Sequence, residues 1–468
     1  MKIPHALAPL VVALLLAGCA TPAAIAPQDL PTVPAAFKEG DGRWTQVTPA
    51  EAQPRGDWWK AFADPVLDDL VARAERNNNS IQIAAARLAQ ARALVRSTNA
   101  DRLPQVGLGA GALREAQPLA RGATDTVLNA GASLSYEVDL FGRLAKASDA
   151  AALDARSREA LLQSTRLLVD AEVARSYFVL RGLDAELALV RDTVVAYRDT
   201  LRLTERRFQA GDIAELDVAR VRSEVAATES EALAIERQRA QLEHALAVLA
   251  GEPASAFRIE PAGPDGWKAS PPVVPAGVPS TVLARRPDVS AAQSSWQAAQ
   301  ARVGVAQAAW FPSLSLTASG GQASPELSDL FKWSARAWSV GALLSLPIFD
   351  GGRREAGVAN AKGELDAALA SYREQVLVAF KDVEDELSAL RLLSEQEQAQ
   401  TRAVGSATRV TTLSETRYRN GLVSQLEVLD AQRSELRNRR QALQVRAALY
   451  QSTVGLIRAL GGGWGSPA

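Results

Sequence analysis

Val127-Leu128-Asn129-Ala130-Gly131-Ala132-Ser133-Leu134-Ser135-Tyr136-Glu137-Val138-Asp139-Leu140 decides the fold of this chain. From Leu128 onward the even positions are apolar and the odd positions are polar or glycine. A period of two marks a β-strand with two unlike faces. The pattern lasts about a dozen residues, the length a tilted strand needs to cross a bilayer. The polar face is small and hydroxylated, as a water-filled lumen requires.

The same pattern returns further along. Trp338, Val340, Ala342, Leu344, Leu346 and Ile348 alternate with Ser339, Gly341, Leu343, Ser345 and Pro347. Each long strand follows a shorter one. Val106, Leu108, Ala110 and Ala112 oppose Gln105, Gly107, Gly109 and Gly111, while Leu314, Leu316 and Ala318 oppose Ser313, Ser315, Thr317 and Ser319. Alternation alone also fits a half-buried strand of a water-soluble sheet. The membrane reading gains from Phe331, Trp333 and Trp338, which gather at the turn of the second hairpin as an interfacial girdle would. Beyond the N-terminal region no apolar run reaches the ~18 residues of a membrane helix, so any spanning falls to strands. Four strands cannot close a barrel, and an open edge in lipid strands its backbone groups. The sequence therefore predicts an oligomer in which each chain contributes four strands.

Outside the strands lie helices of unusual length. No proline interrupts Arg143 to Phe208 or Arg353 to Asn420, each about 65 residues, or roughly 100 Å of helix. Leu161, Leu168, Val169, Val173, Tyr177 and Leu180 recur at three- and four-residue spacings, as do Leu365, Ala368, Leu369, Tyr372, Val376 and Phe380. This is coiled-coil-like patterning. Gly211 and Gly421 end the two runs, and a second helix follows each, over about 213–250 and 423–460. Glycine just past a helix end accepts the left-handed conformation that stops it. Two tight helical hairpins are expected, with tips far from the strands.

The two halves are copies. Residues 77–250 and 287–460 repeat one unit, offset by about 210 positions. Leu103-Pro104-Gln105-Val106-Gly107-Leu108 recurs as Phe311-Pro312-Ser313-Leu314-Ser315-Leu316. Asp139-Leu140-Phe141-Gly142-Arg143 recurs as Phe349-Asp350-Gly351-Gly352-Arg353. Arg207-Phe208-Gln209-Ala210-Gly211 recurs as Arg417-Tyr418-Arg419-Asn420-Gly421.

The N-terminus reads as an address. Lys2 precedes the apolar run Ala6 to Ala17, which ends in Leu16-Ala17-Gly18-Cys19. This resembles a bacterial lipoprotein signal, which implies lipidation of Cys19; Ala20 in place of an aspartate implies the outer membrane. Cys19 is the only cysteine, so an exported chain has no internal disulfide. A net charge of −1 over 468 residues gives no field for nucleic acid. The two histidines, His5 and His244, make no metal-spaced cluster. No nucleophile elbow or phosphate loop appears, so neither an enzyme, a cofactor nor a metal is expected. Trp58, Trp59 and Phe62 precede Asp64-Pro65, a helix start, and read as packing aromatics.

Taken with Trp58-Trp59-Lys60-Ala61-Phe62-Ala63-Asp64-Pro65-Val66-Leu67, these motifs resemble the TolC family of outer membrane efflux proteins across essentially the whole chain. The resemblance is nearer to its lipoprotein branch, the OprM- and NodT-type outer membrane factors of RND tripartite pumps. It implies a mainly α chain with membrane β: a homotrimer whose 12-stranded β-barrel, four strands per chain, continues into a periplasmic α-helical barrel. On this reading 1–18 is the signal, 19–64 an N-terminal periplasmic segment, and 65–250 the first repeat with β-hairpin 104–140. An equatorial connector follows at 251–286, then the second repeat at 287–460 with β-hairpin 312–348, and a tail at 461–468.

The implied function is a passive exit duct for small molecules such as drugs. Its implied partners are outer membrane lipid, a periplasmic adaptor (membrane fusion) protein and an inner-membrane RND-type pump. A protein-secretion duct of type I systems is the alternative, and a lipid-anchored periplasmic coiled-coil scaffold a further one.

The resemblance also implies a gate at the tips. Glu427 and Asp430 match two inward carboxylates, three residues apart and so on one helix face. In a trimer they give two acidic rings that favour cations. Asp217 and Arg220 hold the equivalent places of the first copy. Tyr418 matches a tyrosine that bonds an aspartate such as Asp217 and helps hold the tunnel shut. Val423 stands where a family latch has arginine. The turns at Gly211 and Gly421 are the implied adaptor contacts.

Overall fold

The computed structural model describes residues 33–34, 36–40, 56–116, 124–262, 271–274, 282–283 and 285–462. Cys19 and the apolar N-terminal run lie outside the described residues. The first copy runs α1 (Pro65–Asn77), α2 (Asn79–Ala100), β1 (Gln105–Ala116), β2 (Thr124–Val138), α3 (Arg143–Gln209) and α4 (Glu215–Leu249). The second runs α5 (Pro287–Ala308), β3 (Ser313–Ser324), β4 (Arg336–Ser345), α6 (Arg353–Arg419) and α7 (Gln425–Ala459). Both α3 and α6 have 67 residues, and both α4 and α7 have 35.

The strands form one antiparallel sheet in the order β1-β2-β3-β4. Leu108 pairs with Ala132 in the first hairpin, and their counterparts Leu316 and Ala342 pair in the second. The register is thus the same in both copies. The pairing puts Leu108, Ala132, Gly320 and Trp338 on one face and Gly109, Gly131, Gly321 and Ala337 on the other, in the expected division. β1 runs longer than its alternating core, to Ala116. β4 stops at Ser345, short of the expected Ile348, because Pro347 has no N–H for the ladder. Phe331, Trp333 and Trp338 are all more than three-quarters exposed.

Helix boundaries have local causes. The Asp139 carboxylate accepts from the N–H groups of Leu144 (3.2 Å) and Ala145 (2.8 Å), starting α3. The Asp350 carboxylate does the same for α6, accepting from Gly352 (3.1 Å) and Arg354 (3.2 Å). Both helices end in one motif. The Gly211 N–H donates to Phe208 O and the Asp212 N–H to Arg207 O; the Gly421 N–H donates to Tyr418 O and the Leu422 N–H to Arg417 O. With φ of 83° and 72°, the two glycines close Schellman caps.

By contact density the chain divides into two units. Of the described residues, one takes in those within 86–160 and 291–375, and the other those within 33–85, 161–290 and 376–462. The first holds the sheet, with Phe141 stacked on Phe311 (4.7 Å) and Trp296 on Tyr372 (5.9 Å). In the second, α3 packs on α4 through Leu187, Val190, Ala232 and Ile235. Tyr197, Val221, Val225 and Leu429 join α3, α4 and α7. Trp58 and Trp59 are buried, and Phe62 packs on Phe178 and Tyr450, as packing aromatics should. No described helix is long and apolar enough to cross a membrane.

Candidate gate and collar

The second unit contains two sets of charged side chains with opposite surroundings. The first is a buried collar. Asp64 caps α1 by accepting from Val66 (2.9 Å) and Leu67 (3.3 Å) with one carboxylate oxygen, and its other oxygen accepts a hydrogen bond from the Tyr177 hydroxyl at 2.6 Å. Arg181 donates to Tyr177 Oη (3.0 Å), to Asp184 (2.9 Å) and to the Glu260 carbonyl (2.7 Å). Arg239 of α4 donates to Asp184 (2.6 Å) and to the Ile259 carbonyl (2.7 Å). The Asp184 side chain is only 1% exposed, so two guanidinium groups and the Ala262 N–H satisfy it out of water. The network ties α3 and α4 to the first part of the connector, residues 259–262.

Burial pushes the Tyr177 hydroxyl well above its ordinary range, and its hydrogen bond to Asp64 adds to this. Asp170, two turns before Tyr177 on α3, lacks such satisfaction. Its Oδ1 has no hydrogen-bond partner. Burial and then the nearby charge of Glu75 push its carboxyl up to about 8, with Asp57 raising and Arg166 opposing.

The second set is at the tips, and it is exposed. Glu427 lies 3.6 Å from Arg417, Asp430 lies 3.6 Å from Arg433, and Asp217 lies 3.7 Å from Arg220. The Asp430 side chain is 64% exposed. Each expected carboxylate therefore carries a cationic neighbour that spacing alone did not assign. The Tyr418 hydroxyl accepts from Arg207 Nη1 at 2.6 Å, with that guanidinium over its ring, and within one chain no Tyr418–Asp217 bond is seen among the described residues. The reason is local: Arg220, one turn on, engages Asp217, while Arg207 projects from the end of α3 toward α6. The arginine is legible in hindsight, since both copies carry one four residues before the tip glycine, as Arg207 and Arg417.

Above the tips, α4 and α7 are joined by arginines seven residues apart. Arg433 donates to Glu224 (2.7 Å), and Arg440 bridges Glu186 (2.7 Å) and Glu231. These cross-copy pairs fall at a heptad interval, the spacing that returns side chains to one seam. No group of acidic, histidine or cysteine side chains among the described residues is placed to hold a metal ion.

A family model described as "Outer membrane efflux protein" matches residues 70–252 and 278–462. The cation efflux system protein CusC of Escherichia coli O6:H1 is 32% identical over 463 residues, covering 98% of this chain and 99% of the relative. The toluene efflux pump outer membrane protein TtgC of Pseudomonas putida is 33% identical, covering 97% and 94%. The structure of the Neisseria gonorrhoeae MtrE outer membrane channel matches with a TM-score of 0.80 at 28% identity, over 95% of this chain and 98% of that one.

Proposed function

Because the chain belongs to the outer membrane efflux protein family, a family of transport channels and not of enzymes, we propose that three copies pool their sheets into one 12-stranded barrel. The chain is an exit duct for an efflux pump. In the proposed assembly the long helices continue the barrel as a periplasmic tunnel, and the turns at Gly211 and Gly421 meet a periplasmic adaptor served by an inner-membrane pump. One observation carries the shared barrel: among the described strands, β1 and β4 are the edges of an amphipathic four-stranded sheet. Such edges persist in lipid only if other strands cover them. Cys19 carries the lipid anchor on this reading, and its test is the intact mass of the mature protein against Cys19→Ser.

Small-molecule cargo is favoured over protein cargo by the relatives' own names, which mention cations and toluene. Cargo so diverse among related ducts supports selection by the pump. At the mouth, Glu427 and Asp430 form two acidic rings, each softened by its arginine neighbour. The deciding experiment is the mass of the detergent-solubilised particle, corrected for detergent. A value near three chains is expected, and a folded monomer would overturn the barrel.

A further inference from the structure

The duplication specifies how one copy meets the next. Equal register in the two hairpins fixes which residues correspond: Leu108 to Leu316, and Ala132 to Ala342. Gly131-Ala132-Ser133-Leu134-Ser135 recurring as Gly341-Ala342-Leu343-Leu344-Ser345 agrees. Within the chain, β2 of the first copy pairs with β3 of the second through Leu134 with Ala318, Ser133 with Ser319 and Ala130 with Gln322. The counterparts of those pairs are Leu344 with Ala110, Leu343 with Gly111 and Val340 with Arg114. If β4 of one chain meets β1 of its neighbour as β2 meets β3, these pairs form the junction. The match keeps apolar face on apolar face, as it must, since a one-residue slip would turn every side chain over.

This register, which rests on the three-copy reading above, composes a site that no single chain contains. Arg114 continues the apolar row Val106, Leu108, Ala110 and Ala112, eight residues and about 26 Å along the strand from Val106. Membrane barrel strands tilt by about 35–45°, so this run rises only about 20 Å of an apolar band about 25 Å tall, and Arg114 stands toward one end of that band. On the neighbouring β4 the same face carries Trp338 and Arg336, next to the turn bearing Phe331 and Trp333. The Arg336 guanidinium lies over the Trp333 ring. Arg336 is four residues beyond Val340, about 13 Å along the strand and one strand to the side of Arg114 of the adjoining copy.

We propose that each junction binds the phosphorylated headgroup of an outer-leaflet glycolipid between Arg336 of one copy and Arg114 of the next. The chemistry is complementary. Two guanidinium groups present forked donors to phosphate. Trp338 lies between them, and the row below it is apolar, as acyl chains require. Arginine on a lipid-facing row is costly at mid-membrane and tolerated near the interface, where an anion can meet it.

The test quantifies glycolipid retained by the full-length protein purified from outer membranes in mild detergent, with phospholipid measured alongside. Loss of both charged contacts in R114Q/R336Q should lower retained glycolipid about tenfold or more while particle mass stays unchanged. Equal retention, or loss confined to phospholipid, overturns the site. A separate variant pair reports the junction itself. G111C with L343C should cross-link adjoining copies, whereas G109C with L343C, two residues out of register, should not. A cross-link with unaltered glycolipid defeats the lipid site and leaves the barrel standing. A monomer without cross-link defeats the assembly, and the site with it.

Discussion

Arginine–carboxylate pairs occur in both the collar and the tips, and their surroundings give them opposite roles. At the collar, Arg181 and Arg239 converge on an Asp184 side chain that water hardly reaches, and further donors go to connector carbonyls, to Tyr177 and to Glu243. At the tips, Arg417 faces Glu427 and Arg220 faces Asp217 at 3.6 and 3.7 Å, with 31–57% of each side chain exposed. A buried pair cannot lose one partner cheaply, because the other is left charged in a medium that does not solvate it. An exposed pair exchanges its partner for water at little cost. The collar pairs are thus hard to part, while the tip pairs can exchange partners at little cost, as the proposed gate needs.

The largest test of this contrast is Asp184→Ala. It strands two guanidinium groups, and we expect a loss of about 3–5 kcal/mol in chemical denaturation. A cost below about 1 kcal/mol would put the collar in the same class as the tips. Asp170→Asn should act in the other direction. The folded-state carboxyl is raised from 3.8 to about 8, so the folded chain holds a proton the unfolded chain has released. Stability contributed by that proton is present below about pH 4 and lost as pH rises through 8. The amide mimics the protonated acid, so the variant should be more stable by on the order of 1–3 kcal/mol near pH 8 and nearly equal at pH 4. A thermal midpoint difference that does not widen between these pH values would show that Asp170 finds a partner in the assembly.

Much of this was legible in the sequence, for reasons that differ by region. Strand alternation survives because each face of the sheet has its own solvent, so Leu134 and Ser135 had no choice of side. Gly211 and Gly421 announced the tips because a positive φ leaves few residue options. The collar was not legible. Asp64 was readable as a helix start, but nothing in the spacing of Tyr177, Arg181, Asp184 and Arg239 says that they share one buried knot with the connector. Pairing across more than 50 residues is decided by tertiary packing. The tip tyrosine shows the same limit at close range: Tyr418 was identifiable, while its choice of Arg207 over Asp217 depends on which helix end faces it.

That choice gives a sharper test of the tips. If the Arg207–Tyr418 bond restrains the gate, Tyr418→Phe and Arg207→Ala should each raise single-channel conductance, with stability changed by less than about 1 kcal/mol. The double variant should add little to either, because both remove one bond. Asp217→Ala should leave conductance nearly unchanged, since Asp217 is held by Arg220. A response to Asp217→Ala but not Arg207→Ala would restore the tyrosine–aspartate latch that the sequence suggested.

The smallest expected effect concerns the proposed acidic rings. Glu427→Gln with Asp430→Asn removes six carboxylates from a trimer, which would abolish cation preference if the rings were bare. They are not bare, since Arg417 and Arg433 stand within 4 Å of them. The variant should therefore reduce cation over anion permeability only a few-fold, and the difference should fade in high salt as exposed charges are screened. Reversal potentials under a salt gradient measure this directly. A complete loss of selectivity that persists at high salt would mean that the tip carboxylates are desolvated in the assembly. The gate would then resemble the collar more than its own exposed surface suggests.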